Sequence, residues 1–244
     1  ICVGTATQTE VEEQVDLMYS LIHQQVDAIV LVPIDSKALV QPVVEAVRKG
    51  VPVINIDIRL DTQLLEQAGV EVAFVGPDNF AAAYEVGKLL GKKLRNEDKV
   101  AIIEGLAVAD NARQRKRGFI KAIEEKGLRL VASEPADWET EKAAEVFQAM
   151  WMRYPDLKAV YCSNDAMALG VLQQMQEKKC YLPVVGFDND AVMKEFLSTG
   201  KLVATADIFS SQMAVRGIEF ALDVLEGRIE NRGVHSTAYE IIKQ

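Results

Sequence analysis

Histidine is nearly absent from this 244-residue sequence, which has only His23 and His235. Neither has a carboxylate or nucleophile partner in the pattern, so a catalytic triad built on imidazole has no candidate. Cysteine is sparse too, with three residues. Cys162 ends one strand candidate and Cys180 precedes the next at the opposite end, so about 15 Å separates them and no disulfide is expected. The phosphate loops GxxxxGK(S/T) and GxGxxG, the GxSxG elbow, HExxH and CxxC are all missing. Asp188-Asn189-Asp190 lacks the further acidic position and the glycine of a calcium loop, so no metal is expected there. Positive charge is in deficit: 27 Lys plus Arg stand against 36 Asp plus Glu, a net −9 that repels polyanions and argues against nucleic-acid binding by this segment. The longest apolar stretch, Ala28 to Ile34, is far shorter than the roughly 20 residues of a membrane span. The opening Ile1-Cys2-Val3-Gly4 has no Met, basic region or apolar run of a signal peptide and reads as a strand.

What is present is a regular alternation. Short β-branched apolar runs alternate with amphipathic stretches of helical period, which predicts an α/β chain with parallel sheets. Strands are expected at Ile1–Gly4, Ala28–Val32, Val51–Asp57, Val72–Gly76, Val100–Glu104, Leu128–Ser133, Ala159–Cys162, Val184–Phe187, Leu202–Ala206 and Ala238–Ile242. Between them, Val11, Val15, Met18 and Ile22 form one apolar stripe, Ala143, Val146, Phe147 and Met150 a second, and Met213, Gly217, Phe220 and Val224 a third. Gly50, Gly127, Gly200 and Gly227 follow helical patterns where left-handed C-caps belong. Ten strands exceed one doubly wound sheet, and Val75-Gly76-Pro77-Asp78-Asn79 breaks the rhythm, so a lobe boundary is expected there, with a second crossing near Asp207–Ser211. In a lobe of strand order 2-1-3-4-5, Ile1–Gly4 would be strand 2, which predicts a further βα unit ahead of it.

Ligands of open parallel sheets lie beyond the carboxyl ends of the strands. The residues there are polar: Asp35, Asp57, Asp110, Trp138, Asn164, Asp165, Asp188 and Asp190. Helix capping accounts for Asp35, Asp78, Asp165 and Asp190. Asp57 precedes no immediate helix, and Asp188 sits two positions before its capping neighbour, so both are ligand candidates. In the run Arg113 to Arg117 the charges fan around a helix and read as a solvated face, apart from Arg113 at its start, placed to fork onto a ligand oxygen.

The segments Val51 to Asp57, Ala112-Arg113 with Gly118-Phe119, Ala136-Asp137-Trp138, Asn164 to Gly170 and Val185 to Asp188 together resemble the type I periplasmic sugar-binding proteins, and the likeness runs to Gln244. The effector domains of lac-repressor-like regulators share several of these motifs. The resemblance implies two Rossmann-like, flavodoxin-like lobes joined by a three-segment hinge and closing on one monosaccharide. It places residues 1–77 and 209–237 in the first lobe, lacking its first βα unit, and 78–208 with 238–244 in the second. Asp57 would accept sugar hydroxyls from the first lobe, Arg113, Asn164 and Asp188 would bind from the second, and Trp138 would stack on the ring. Asp57 and Asp188 set two carboxylates against the one guanidinium of Arg113, which favours a neutral or cationic ligand over an anion, and Ile58 and Ile208, standing where the ribose-specific pattern has Arg and Gln, favour a deoxy- or amino-sugar over a fully hydroxylated pentose. The implied protein is a non-catalytic solute-binding protein without cofactor. It would be monomeric, periplasmic or lipid-anchored outside the cell, and serve an ABC permease or a membrane sensor. The alternative is a cytoplasmic regulator's effector domain. An enzyme using Asp57 and Asp188 as acid and base is disfavoured, because nothing in the sequence activates a nucleophile.

Overall fold

The computed structural model describes residues 1–243. They divide into two compact units. The first comprises Ile1–Pro77, Val108–Asn111 and Phe209–Ala238, and the second comprises Asp78–Ala107, Ala112–Ile208 and the chain from Tyr239. Four residues, Val108–Asn111, thus group with the first unit although the sequence reading ran 78–208 undivided. Their backbone explains this: Ser36 N donates to Val108 O at 3.1 Å and Asp110 N donates to Ser36 Oγ at 2.9 Å.

The first unit contains α1 (Val11–His23), β1 (Ile29–Leu31), α2 (Val40–Arg48), β2 (Val53–Ile56), α3 (Thr62–Ala68) and β3 (Phe74–Gly76). Its later part, which follows the other unit's main segment in the chain, supplies α9 (Ser210–Leu225) and β9 (Val234–Ser236). The strands run β1-β2-β3-β9, all parallel. Because β2 is buried along its whole length, apolar residues serve both faces. One face packs Met18, Ile22, Leu39, Val43 and Val44, and the other packs Ile54, Ile56, Phe220 and Ala221. Gly217 lets α9 approach closely, since a Cβ there would fall 2.8 Å from Ile56 Cγ2.

The second unit contains α4 (Asn79–Gly91), β4 (Lys99–Glu104), α5 (Asp110–Lys126, its first residues grouping with the other unit), β5 (Arg129–Pro135), α6 (Thr140–Arg153), β6 (Ala159–Cys162), α7 (Asp165–Glu177), β7 (Val184–Val185), α8 (Lys194–Ser198), β8 (Leu202–Asp207) and β10 (Glu240–Lys243). Its six strands run β10-β8-β7-β6-β4-β5, parallel except for the antiparallel β10 at the edge. This is the α/β, parallel-sheet class that the alternation predicted. The four expected C-cap glycines hold φ from 70° to 83°.

Two strand expectations need correction, and one strand was not expected. Ile1–Gly4 is exposed and forms no strand, because among the described residues no strand lies beside it and its apolar side chains bury nothing. Of Val184–Phe187 only Val184–Val185 is regular strand, although Gly186 N and Asp188 N still donate to Ala204 O and Ala206 O of the neighbouring strand before the chain turns at Asp188 with φ 110°. β9 was missed: Val234-His235-Ser236 is an exposed edge strand without apolar alternation, held by pairing to β3.

Candidate functional site

In the first unit the loop after β2 carries Asp57 and Ile58. Asp57 turns it with φ 61°. Asn55, only 1% exposed at the end of β2, fastens the loop. Its Oδ1 accepts from Leu60 N at 2.9 Å and its Nδ2 donates to Ile58 O at 2.8 Å. Ile58 is buried, and Arg59 lies with its guanidinium carbon 5.6 Å from the centre of the Phe74 ring. Asp35 Oδ1 accepts from Lys37 N and Ala38 N and closes a turn ahead of α2, but it does not cap that helix, whose N-cap position is Leu39 and has no side-chain hydrogen bond.

In the second unit the polar residues converge on Arg115. This guanidinium is only 3% exposed, so the solvated-face reading of the Arg113–Arg117 run fails at this position. The reason is helical geometry: Arg115 follows Ala112 by three and precedes Phe119 by four, and all three lie on the buried stripe of α5. Its Nε donates to Asn79 Oδ1 and one terminal nitrogen donates to Ser163 O, both at 2.9 Å. That nitrogen also stands 3.4 Å from Asp188 Oδ1. The guanidinium carbon lies 3.7 Å from the centre of the Phe187 ring and 5.5 Å from that of Trp138. A buried guanidinium surrounded by a carboxylate, an amide, a carbonyl and two aromatic faces keeps its charge without bulk water. Arg115 and Asn79 are therefore candidate site residues that sequence reasoning missed. The signal was available, because Ala112, Arg115, Phe119 and Ala122 repeat at helical spacing. Arg113 is half-buried and donates to Ala107 O at 3.1 Å.

Trp138 is buried and holds φ 72°, and its ring covers Gly105 at the end of β4, where a Cβ would fall 2.1 Å from Cη2. Asn164 caps α7, its Oδ1 accepting from Met167 N at 2.9 Å, so the capping role given to Asp165 belongs to its neighbour. Asp165 instead is fully buried. Burial pushes its carboxyl up to about 7, against hydrogen bonds from Asp190 N and the Thr205 hydroxyl. Asp190 makes no side-chain cap either; its amide is spent on Asp165. Asp78 does cap α4, accepting from Ala81 N at 2.9 Å. Asp188 holds φ 110° and its amide donates to Ala206 O at 2.7 Å. Ile208 is buried just after β8.

Residues 1–229 match the family described as "Periplasmic binding protein domain". The D-ribose/D-allose-binding protein of Pseudomonas aeruginosa is 40% identical over 244 residues, covering 98% of this chain and 76% of that protein. An ABC transporter solute-binding protein from Burkholderia multivorans, with an unknown ligand built as α-D-erythrofuranose, superimposes with a TM-score of 0.96 at 38% identity, covering 100% of this chain and 87% of that one. A periplasmic solute-binding protein from Actinobacillus succinogenes with bound D-allose superimposes with a TM-score of 0.89 at 32% identity, covering 96% and 84%. The chain belongs to the periplasmic binding protein domain family, as one of its type I sugar-binding members.

Proposed function

We propose that this chain is a non-catalytic receptor that captures a neutral monosaccharide of the aldopentose or aldohexose class for an ABC importer. The observation that carries this is the Arg115 cluster: a desolvated guanidinium against the Asp188 carboxylate, with Asn164 and the flat Trp138 ring on neighbouring strand ends. Sugar hydroxyls leave water favourably only when each regains a partner, and charged acceptors and donors give the strongest replacements. An indole face suits the C–H side of a pyranose or furanose ring. Asp57, Arg113, Asn164 and Asp188 are the proposed polar ligands, with Trp138 as the stacking group. Ile58 and Ile208 offer carbon, so the preferred sugar carries carbon rather than hydroxyl where it meets them. Two of the relatives named above are described as binding D-ribose or D-allose, which makes those two sugars the first to test. Their transport role supports the importer reading over a regulator's effector domain. We place the protein in the periplasm as a monomer facing a membrane permease.

Calorimetric titration with D-ribose, D-allose, deoxy- and amino-sugars, sugar phosphates and sugar acids tests the assignment. A neutral or amino-sugar should bind best, and Asp57→Ala, Asp188→Ala and Trp138→Ala should each weaken it by about 1–3 kcal/mol, the scale of an unpaired buried group. Parent-like binding by all three variants, or a preference for the anions, would show the site to be wrong.

A further inference from the structure

Asp165 contributes no group to the proposed ligand set, yet it is the most deeply buried carboxylate of the second unit's ligand side and is bonded to the loop that carries Asp188. Its amide donates to Phe187 O at 2.7 Å, immediately before Asp188. Its Oδ2 accepts from Asp190 N at 2.9 Å, two residues after Asp188. Its Oδ1 accepts from the Thr205 hydroxyl at 2.9 Å, and Thr205 Oγ1 in turn accepts from Asn189 N at 3.2 Å. One residue thus grips the loop on both sides of Asp188. Within that grip Asp188 and Asn189 hold φ of 110° and 59°, a region that L residues enter only when their surroundings impose it. Gly186 completes the fit, since a Cβ there would fall 1.9 Å from Asp165 Oδ1.

We propose that Asp165 is a positioning residue for sugar binding, a buried latch whose two carboxylate oxygens hold the 187–190 loop so that Asp188 meets Arg115 and the ligand. The proposal rests on the reading of Asp188 as a ligand group. Both oxygens face donors, the Thr205 O–H and the Asp190 N–H, so the ionised carboxylate satisfies the loop and a protonated one forfeits an acceptor. The titratable groups around Asp165 reinforce its sensitivity to pH. Cys162, at the end of β6, is held as a thiol by burial, and the Asp190 charge, from the loop after β7, opposes ionisation. On the same side Asp188 faces Arg115, and Asp207 at the end of β8 accepts from Asn189 Nδ2. Since the Asp165 carboxyl sits at about 7, sugar affinity should fall as pH is lowered through that value. Stability should move the other way. The folded state binds this proton more tightly than the ordinary value of 3.8 allows, so the group's contribution to folding is lost as pH rises from about 4 to about 7.

The test is calorimetric titration of the whole chain with D-ribose and with D-allose across neutral pH, combined with NMR titration of the unliganded protein. Asp165→Asn should fold, bind at least about tenfold more weakly, and lose the parent's pH profile, because an amide nitrogen cannot accept from a second donor. Thr205→Val should lose severalfold. In the parent the Asp190 amide resonance should titrate with a midpoint near 7, and in Asp165→Asn it should not. Parent affinity with the parent pH profile in both variants, or an Asp190 amide indifferent to pH, would overturn the latch. If Asp165→Asn does not fold, Thr205→Val and the amide titration decide. Asp188→Asn separates the two ideas. Parent-like binding by that variant removes the site reading, while the amide titration still judges the latch.

Discussion

The two units answer the same packing problem with different polar interiors. In the first, buried Ser36 and Asn55 fasten loop backbone through peptide groups, and Asn111 is buried there as well. In the second, Asn79, Arg115, Asn164, Asp165 and Thr205 are buried together at the strand ends and bond mainly to one another and to the Asp188 loop. Peptide-to-side-chain ties shape a loop at low electrostatic cost. A buried guanidinium and carboxyl cost more, and such groups persist where a ligand or a fixed geometry needs them. In the proposed site the second unit therefore carries most of the recognition chemistry, and the first has a shaped loop with Asp57 at its turn.

That contrast breaks most directly at Arg115. Arg115→Ala leaves Asn79 and Asp188 without their buried cation and should cost about 3–5 kcal/mol in chemical denaturation, with sugar binding lost in calorimetry. Asn55→Ala in the first unit should cost about 1–3 kcal/mol and weaken binding without abolishing it. Equal effects at the two positions would erase the proposed difference.

Close helix approaches give the next test. At Gly170 a Cβ would fall 2.0 Å from the Thr140 carbonyl, which is backbone and cannot move aside, whereas at Gly217 the first obstacle is the Ile56 methyl at 2.8 Å. Thermal melts should show Gly170→Ala costing about 3 kcal/mol and Gly217→Ala about 1 kcal/mol. A reversed order would mean that α9 is seated more rigidly than α6 against α7.

The smallest expected effects sharpen the comparison by being alike. Asp61 caps α3 in the first unit, accepting from Leu64 N at 3.0 Å, and Asp78 caps α4 in the second at 2.9 Å. Each replacement by Ala should cost about 1 kcal/mol by urea titration, because a cap satisfies one amide wherever it stands. A marked difference would show that cap energetics depend on the unit.

What could be read from the sequence depended on how local the cause was. Gly50 and Gly127 announced their left-handed C-caps because only the backbone at those residues is involved. β9 could not be seen, because Val234-His235-Ser236 becomes a strand only by pairing with β3, far away in sequence. The same division runs through the site. Asp57, Trp138 and Asp188 stand at strand ends that periodicity locates. Arg115 was hidden inside a basic run whose solvated and buried members look alike until α5 is packed against its unit.

The sequence by itself determined the α/β alternation, the parallel sheets and the acidic balance, since apolar period, turn residues and net charge are properties of the chain alone. Only the tertiary structure decided which charges are buried. Asp165 and Asp78 are both acidic residues after a strand, yet one caps a helix and the other lies beneath the Asp188 loop at about 7. Desolvation depends on every neighbour at once, and the chain brings Thr205 and Asp190 to Asp165 only when β7 and β8 lie side by side.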